Sequence, residues 1–181
     1  MTTNSTDESL MAAVREGDSS GLEILFDRHH LALYEYFFRM TGDRTSSENL
    51  VQDVFYRILK YRDTFRDDGR FNAWLYRIAR NAHHETFRRL DATALPEADS
   101  ERMRTVTPSA ADGSRRDKPE ALRTLLLKLP EDRRELIVFS QYLRLSPEEI
   151  AELLDIEVPA AKVRVHRAMM ELRDFFRKLS G

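Results

Sequence analysis

The sequence contains no cysteine among its 181 residues, and this absence removes several kinds of function. Without thiols the chain cannot form disulfide bonds, bind a metal through thiolates or use a cysteine nucleophile. No stretch approaches the roughly 20 consecutive apolar residues that a membrane-spanning helix needs. The first eight residues, MTTNSTDE, lack the basic and apolar segments of a signal peptide. We therefore expect a protein without membrane insertion, compatible with the cytoplasm, made of one ordinary domain or two small ones.

The net charge of −2 conceals alternating blocks of acidic and basic sequence. Residues 1–53 carry 10 acids and 4 bases, whereas residues 54–90 carry 9 bases and 4 acids. The pattern then repeats, with 9 acids and 5 bases in residues 119–158 and 6 bases and 2 acids in residues 159–181. Such blocks are typical of a protein that meets nucleic acid on some surfaces and another protein on others.

Apolar spacing predicts four helices before residue 91. A short helix spans Ser9 to Glu16, and a long one follows until Thr41-Gly42. The third helix should begin near Thr45, because Thr45 and Glu48 have the spacing of a capping box. The fourth runs from Phe71 to about Leu90. Four helices with short loops predict a compact all-α domain.

The fourth helix has two different faces. Its apolar side consists of Leu75, Ile78, Ala79, Ala82, Thr86 and Leu90. Its basic side consists of Arg77, Arg80, Asn81, His84 and Arg88, with Trp74 at the flank. A polar loop containing Gly69 precedes the helix. Cations that follow phosphates, nearby aromatic rings and an amide that can read a base edge are what single-stranded nucleic acid binding requires. The alternative is an ordinary amphipathic helix with a solvated arginine face.

Residues 91–118 contain no aromatic residue and no sustained apolar period, which predicts a linker. Two helices should follow it, starting at Pro119 and after Pro130. Ser146, Pro147 and Glu149 then have the pattern of a capped helix start with a capping box. A tight turn over residues 155–157 and a last helix from Val158 to about Leu179 complete a helix-turn-helix. Residues predicted to face DNA from that helix are Ala160, Lys162, Val163, Arg164, His166 and Arg167.

Three stretches together resemble the extracytoplasmic-function sigma factors of bacterial RNA polymerase. They are Gly42-Asp43-Arg44 with the segment from Glu48 to Phe55, the segment Phe71–Asn81, and the segment from Glu149 to Ala168. The resemblance implies an all-α fold of two small helical domains. Region two of the sigma factors would occupy residues 1–90, and region four would occupy residues 119–181.

The resemblance also implies partners and site residues. Glu48, Asn49, Gln52 and Asp53 would bind the clamp helices of the largest polymerase subunit, and region four would meet the flap of the second largest. The −10 element of promoter DNA would be held as a single strand. The residues implied there are Arg66, Asp67, Gly69, Arg70, Trp74, Arg77, Arg80, Asn81, His84 and Arg88. The six outward residues of the last helix would read the −35 element as duplex.

The chain departs from the family at the start of the third helix. Ser46 and Asn49 stand where members usually carry acids, beside the hydroxyls of Thr45 and Ser47. A phosphate on Thr45, Ser46 or Ser47 would restore negative charge at a helix amino terminus, which favours anions. The alternative is that these hydroxyls only cap the helix. We expect control by a regulatory kinase or by an anti-sigma factor.

Nothing in the sequence resembles a nucleophile–base pair or a phosphate-binding loop, so we expect no catalytic residue and no cofactor. We also expect no metal site, because the pairs His29-His30 and His83-His84 point about 100° apart on a helix and should chelate poorly. The remaining alternative is a helix-turn-helix regulator, or an adaptor that mimics a sigma factor without initiating transcription.

Overall fold

The computed structural model describes residues 5–66, 68–93 and 117–179, and every regular element within these ranges is helical. The first part contains α1 (Asp7–Arg15), α2 (Ser20–Thr41), α3 (Arg44–Tyr61) and α4 (Phe71–Thr93), with a 3₁₀ turn at Arg62–Thr64. The expected all-α class is confirmed. Among the described residues, no helix combines the length and apolar character needed to cross a membrane.

The second part contains α5 (Asp117–Lys128), α6 (Glu131–Ile137), α7 (Pro147–Leu154) and α8 (Val158–Leu179). After Ile137 the chain widens into a π-helical turn at Val138–Tyr142, which the apolar spacing did not predict. Both α4 and α5 extend into residues 91–118, which the sequence predicted as linker. The remainder of that predicted linker lies outside the described residues.

Two glycines fix the geometry of the first helices. Gly42 adopts a left-handed φ of 73° and ends α2, and its amide donates to the Phe38 carbonyl over 2.9 Å. Gly21 lies where α2 crosses α1, and a Cβ atom there would stand 2.8 Å from the Leu10 carbonyl oxygen. Only glycine therefore allows the two helices to pack this closely.

The inner face of α4 supplies much of the core around which α1 to α3 are arranged. Leu75, Ala79 and Ala82 are fully buried and Ile78 nearly so, which confirms that part of the predicted apolar stripe. Leu90 is 51% exposed, so the prediction that it faces inward is wrong. The stripe therefore ends before the last turns of the helix.

One predicted capping box is absent and the other is present. The N-cap of α3 is Asp43, whose carboxylate accepts from the Ser46 amide over 2.7 Å, so the box predicted at Thr45 is wrong. At α7 the Ser146 hydroxyl accepts from the Glu149 amide over 3.1 Å, and the Glu149 carboxylate accepts from the Ser146 amide over 2.7 Å. This reciprocal pair confirms the predicted start of the helix-turn-helix.

The two helical parts pack against each other, an arrangement that we call the closed arrangement. The ring of Tyr36 on α2 stacks on Phe139 in the π-helical turn, with centroids 5.6 Å apart. Tyr76 on α4 meets the same Phe139 ring edge-on at 6.2 Å. The Arg134 guanidinium on α6 donates both to the Met40 carbonyl and to carbonyls at the end of α5. An aromatic cluster and a half-buried arginine therefore join the second part to α2 and α4.

Candidate nucleic-acid interface

The basic face of α4, defined by Arg77, Arg80, Asn81, His84 and Arg88, lies on the side opposite the buried stripe. Arg77, Asn81 and Arg88 are exposed, and Arg80 and His84 are half-buried. The structure thus brings these five predicted residues onto one surface. A row of cations with one amide among them suits a phosphate chain whose bases are unstacked.

The loop before α4 stands at the amino-terminal end of this face. Arg66 is exposed and pairs with Asp68 over 3.0 Å, and the Gly69 amide donates to the Arg66 carbonyl over 2.9 Å. The predicted site residue Asp67 lies outside the described residues. Phe65 and Phe71, at the two ends of the loop, are buried, so they anchor the loop and do not offer rings to bases.

A cavity of about 270 Å³ opens beside Asn81. It is lined by Arg57, Tyr61, Thr64, Trp74, Arg77, Ile78 and Asn81. Trp74 is only 8% exposed and its indole nitrogen donates to the Thr64 hydroxyl over 3.1 Å. The indole is therefore a wall of the cavity and not a free stacking platform. The volume is close to the lower limit of about 300 Å³ for small-ligand pockets, with an amide and a guanidinium available to orient a planar group.

Part of the basic face is covered by a carboxylate from the second part. Glu135 on α6 is 3% exposed, and its two oxygens lie 2.8 Å from Arg80 Nε and 3.0 Å from the Tyr36 hydroxyl, which donates to it. Burial, together with the neighbouring Glu135 carboxylate, raises the pKa of Tyr36 well above its usual range. The phenol therefore stays protonated and remains a donor. Both contacts satisfy a buried charge that would otherwise be costly.

Helix α7 engages the amino-terminal end of the same face. Arg77 donates to the Glu152 carbonyl, and Arg70 Nη1 lies 3.1 Å from a Glu152 carboxylate oxygen. The Asn72 amide donates to Glu149 over 3.2 Å. A cavity of about 610 Å³ remains between the loop at 66–69 and the turn at 155–157. In the closed arrangement, groups predicted to hold the −10 strand are thus bound by acids of the second part.

His83 and His84 meet a third potential ligand at the same interface. His83 Nδ1 lies 3.1 Å and His84 Nε2 lies 3.4 Å from one carboxylate oxygen of Glu131, the first residue of α6. Burial lowers the pKa of His83 to about 3 despite the nearby carboxylate, so its ring is neutral at ordinary pH. The expectation that adjacent histidines diverge too far does not hold for this pair, whose ligand atoms all lie within 4.8 Å of each other and of the Glu131 oxygen.

The predicted polymerase-binding residues lie on the outer side of α3. Glu48, Asn49 and Gln52 are exposed, whereas Asp53 is half-buried and forms an ion pair with Arg57 over 2.8 Å. Tyr56 continues the four-residue spacing of Glu48 and Gln52 and is 66% exposed. Tyr56 was not among the predicted residues, although that spacing would have identified it.

The three hydroxyl residues at the start of α3 differ in accessibility. Thr45 is exposed and Ser46 is half-buried. Ser47 is fully buried, and its hydroxyl donates to the Asp43 carbonyl over 2.6 Å. The prediction of Ser47 as a phosphate acceptor is therefore wrong for this conformation, because a kinase cannot reach the oxygen.

The outward side of α8 remains open in the closed arrangement. Ala161, Ala168 and Leu172 are buried and fix the orientation of the helix. The predicted DNA-facing residues are then exposed, except for the half-buried Ala160: they are Lys162, Val163, Arg164, His166 and Arg167. Asp155, in the turn before α8, adopts a left-handed φ of 54°, a conformation that aspartate tolerates better than most residues other than glycine.

Sequence reasoning missed the acids that cover the basic face, namely Glu135, Glu149 and Glu152. A signal for them was present, because the acidic block at 119–158 has the opposite sign to the basic block at 54–90. The sequence pattern favours separate partners for blocks of opposite charge. In the structure, some of these opposite charges instead pair with each other within the chain.

Comparison with known proteins adds an independent result. Residues 25–93 match the family described as Sigma-70 region 2, and residues 120–172 match Sigma-70, region 4. The chain is 30% identical to the ECF RNA polymerase sigma factor SigW of Bacillus subtilis, across 92% of this chain and 94% of that protein. It is 32% identical to the RNA polymerase sigma factor CarQ of Myxococcus xanthus, across 93% of this chain and 97% of that protein.

A solved structure is similar over nearly the whole chain. CnrH, determined in complex with the cytosolic domain of CnrY, superposes with a TM-score of 0.72 at 25% identity. The match covers 95% of this chain and 97% of CnrH. The similarity therefore includes both helical parts.

Proposed function

The chain belongs to the extracytoplasmic-function sigma factors of the sigma-70 family, and on this premise we propose that it binds core RNA polymerase and directs promoter-specific initiation. The observation that carries the proposal is the basic face of α4 beside the cavity at Asn81, combined with an exposed recognition helix in the second part. No step of this function requires catalytic chemistry by the chain itself. Its place of action is where the polymerase is, in the cytoplasm.

At the −10 element, the cavity beside Asn81 receives one unpaired base of the promoter. The amide of Asn81 reads the edge of that base, and Trp74 closes one side of the cavity. Arg77, Arg80 and Arg88 follow the phosphates of the strand. Cationic grooves with planar side chains bind single strands in this way.

At the −35 element, α8 enters the major groove of duplex DNA. Arg164 and Arg167 are the candidates for guanine or phosphate contacts, and the exposed Val163 can meet a thymine methyl group. The orientation of the helix is supported by Ala161 and Ala168, which pack inward without residual exposure.

The exposed side of α3 contacts polymerase through Glu48, Gln52 and the ring of Tyr56. Because Ser46 and Asn49 are uncharged, this surface carries less negative charge than is usual in the family. A phosphate on Thr45 or Ser46 would add about −1.5 to −2 charges in the first turn of the helix. Kinase control at these two positions is therefore part of the proposal.

The closed arrangement is the resting form of the protein. Glu135 and Glu152 bind arginines that the −10 strand needs, so DNA and the second part compete for the same groups. Polymerase favours the open form by binding the two parts at separate places. An inhibitory protein partner would act in the opposite direction; the similar protein CnrH was solved in complex with the cytosolic domain of CnrY.

Run-off transcription with purified core polymerase tests this function directly. The full chain should give a transcript from a cognate promoter, and Asn81→Ala should lose open-complex formation while it retains polymerase binding. Asn81 is exposed, so the variant should keep its thermal stability. Equal loss of stability and activity would show instead that Asn81 supports the fold.

An adaptor that mimics a sigma factor is the second candidate, and the closed arrangement is the observation that favours it, because the melting residues are already occupied. Such an adaptor would bind core polymerase and give no transcript from any promoter tested. Asn81→Ala would leave the activity of such an adaptor unchanged, because an adaptor has no need to capture a base.

A further inference from the structure

Three potential metal ligands converge where α4 meets α6. The buried His83 Nδ1 lies 3.1 Å from Glu131 Oε1, and His84 Nε2 lies 3.4 Å from the same oxygen. A tetrahedral zinc ion with bonds of about 2.0 Å separates its ligand atoms by about 3.3 Å. Two of the three separations therefore already have the length that zinc requires.

The third separation, between the two histidine nitrogens, is at most 4.8 Å. It needs to shorten by no more than about 1.5 Å to reach the tetrahedral value. His84 is half-buried and Glu131 is half-exposed, so both side chains have room to rotate. His83, which is 3% exposed, supplies the fixed position of the cluster.

His83 also provides an observation that points to a ligand. Its Nδ1 is buried and makes no hydrogen bond within the described residues, although a carboxylate oxygen lies 3.1 Å away. At this short distance the pair still fails the geometry of a hydrogen bond, so the buried nitrogen keeps an unused bonding position that faces a carboxylate. A cation held by the nitrogen and the carboxylate together would satisfy both groups.

We propose that His83, His84 and Glu131 bind a divalent transition-metal ion, with zinc as the best match, and that the ion fastens the second part to α4. Two imidazoles and one carboxylate form a common zinc donor set, with a fourth position left for water. Magnesium is a poor match because it prefers octahedral oxygen ligands. Since the ligands come from both parts of the chain, the ion would bind the closed arrangement more tightly than any open one.

The binding test is calorimetric titration of the full, untagged chain with Zn²⁺ alone and, separately, with Mg²⁺ alone. We expect one zinc ion per chain and no saturable magnesium binding. His84→Ala and Glu131→Gln should each weaken zinc binding at least about tenfold, the lower end of what even supporting residues of metal sites contribute. His30→Ala and Asp132→Asn are the matched controls, because they remove a histidine and a neighbouring acid elsewhere, and they should bind zinc like the parent.

The linkage test follows the radius of gyration of the full chain by small-angle X-ray scattering as salt rises. Salt weakens the ion pairs across the interface, so the chain should expand, and zinc should raise the salt concentration at which this happens. A chelator should reverse the effect, and Glu131→Gln should abolish it.

The proposal is overturned if zinc does not saturate, if both ligand variants bind it as tightly as the controls, or if zinc leaves the salt dependence of expansion unchanged. None of these measurements involves polymerase or promoter DNA. Failure of the metal site and failure of the proposed sigma function are therefore separate results.

Discussion

Replacement of Glu135 by glutamine should open the closed arrangement and strengthen binding to single-stranded DNA. The Glu135 carboxylate is 3% exposed and accepts from Arg80 over 2.8 Å and from the Tyr36 hydroxyl over 3.0 Å. In Glu135→Gln, one oxygen can still accept from Tyr36, but the amide nitrogen faces the Arg80 donor. The charge-assisted bond, worth about 1.5–3 kcal/mol when buried, is then lost.

The effect should be somewhat smaller than that range, because the Arg80 side chain is 33% exposed and water replaces part of the interaction. A loss of about 1–2 kcal/mol raises the open fraction about 5- to 30-fold. While the closed form predominates, the apparent affinity for a single strand should rise by the same factor. The freed Arg80 is itself a proposed phosphate contact, which acts in the same direction.

The assay is fluorescence anisotropy with a labelled single strand that spans the −10 element of a promoter active in run-off transcription. Asp132→Asn is the control, since it removes the same charge from the same helix at a side chain that is 65% exposed and paired with Arg133. Glu152→Gln, at the other contact, should move affinity in the same direction as Glu135→Gln by a smaller amount. If Glu135→Gln stays as compact as the parent and binds the strand no better, the acids do not occlude the basic face.

Three further predictions concern other surfaces. Arg164→Ala and Arg167→Ala should weaken initiation that depends on a −35 element, with a cost of roughly 1–3 kcal/mol confined to one base position for a base contact; normal run-off from such a promoter would refute the assignment of α8. Ser46→Asp combined with Asn49→Asp should bind core polymerase a few-fold more tightly at low salt, with the gain shrinking as salt rises; no gain at low salt would show that the missing acids do not limit binding. Acidification below about pH 6.5 should destabilise the chain, because folding lowers the pKa of His83 to about 3. Between these pH values the imidazole is protonated in the unfolded state and neutral in the folded state, which favours unfolding. Urea unfolding at pH 7 and pH 5 should show a smaller pH effect in His83→Asn, and an equal effect would mean that other groups dominate.

The sequence predicted local structure well where side chains act on their own helix. Ser146 and Glu149 bond to each other's amides within one turn, so their spacing was sufficient to identify the start of α7. At α3 the same kind of pattern misled, because Asp43 outcompetes Thr45 as the cap one residue before the helix begins. Local spacing cannot rank two neighbouring caps whose geometry depends on how α2 ends.

Contacts between the two parts were outside the reach of spacing arguments. Glu135 is an acid on a helix with many charges, and nothing in its neighbours shows that it will be buried against Tyr36, 99 positions away. The same holds for Glu131, which turns two diverging histidines into a convergent set. Long-range pairing of this kind depends on how the helices pack against each other, and the spacing of apolar residues along the sequence does not reveal it.

Arginines on α4 and in the loop before it bind the second part and are also proposed to bind DNA, which has a consequence for how salt affects binding. A protein that contacts single-stranded phosphates with free cations loses affinity steeply as salt rises, with a logarithmic slope of about −0.7 for each phosphate contacted. Here Arg70 and Arg80 exchange one anionic partner for another, because salt bridges to Glu152 and Glu135 must break before phosphates can take their place. Salt weakens the intramolecular competitor as well as the DNA contact. The observed slope should therefore be shallower than about −0.7 times the number of phosphates contacted, and it should steepen toward that value in Glu135→Gln.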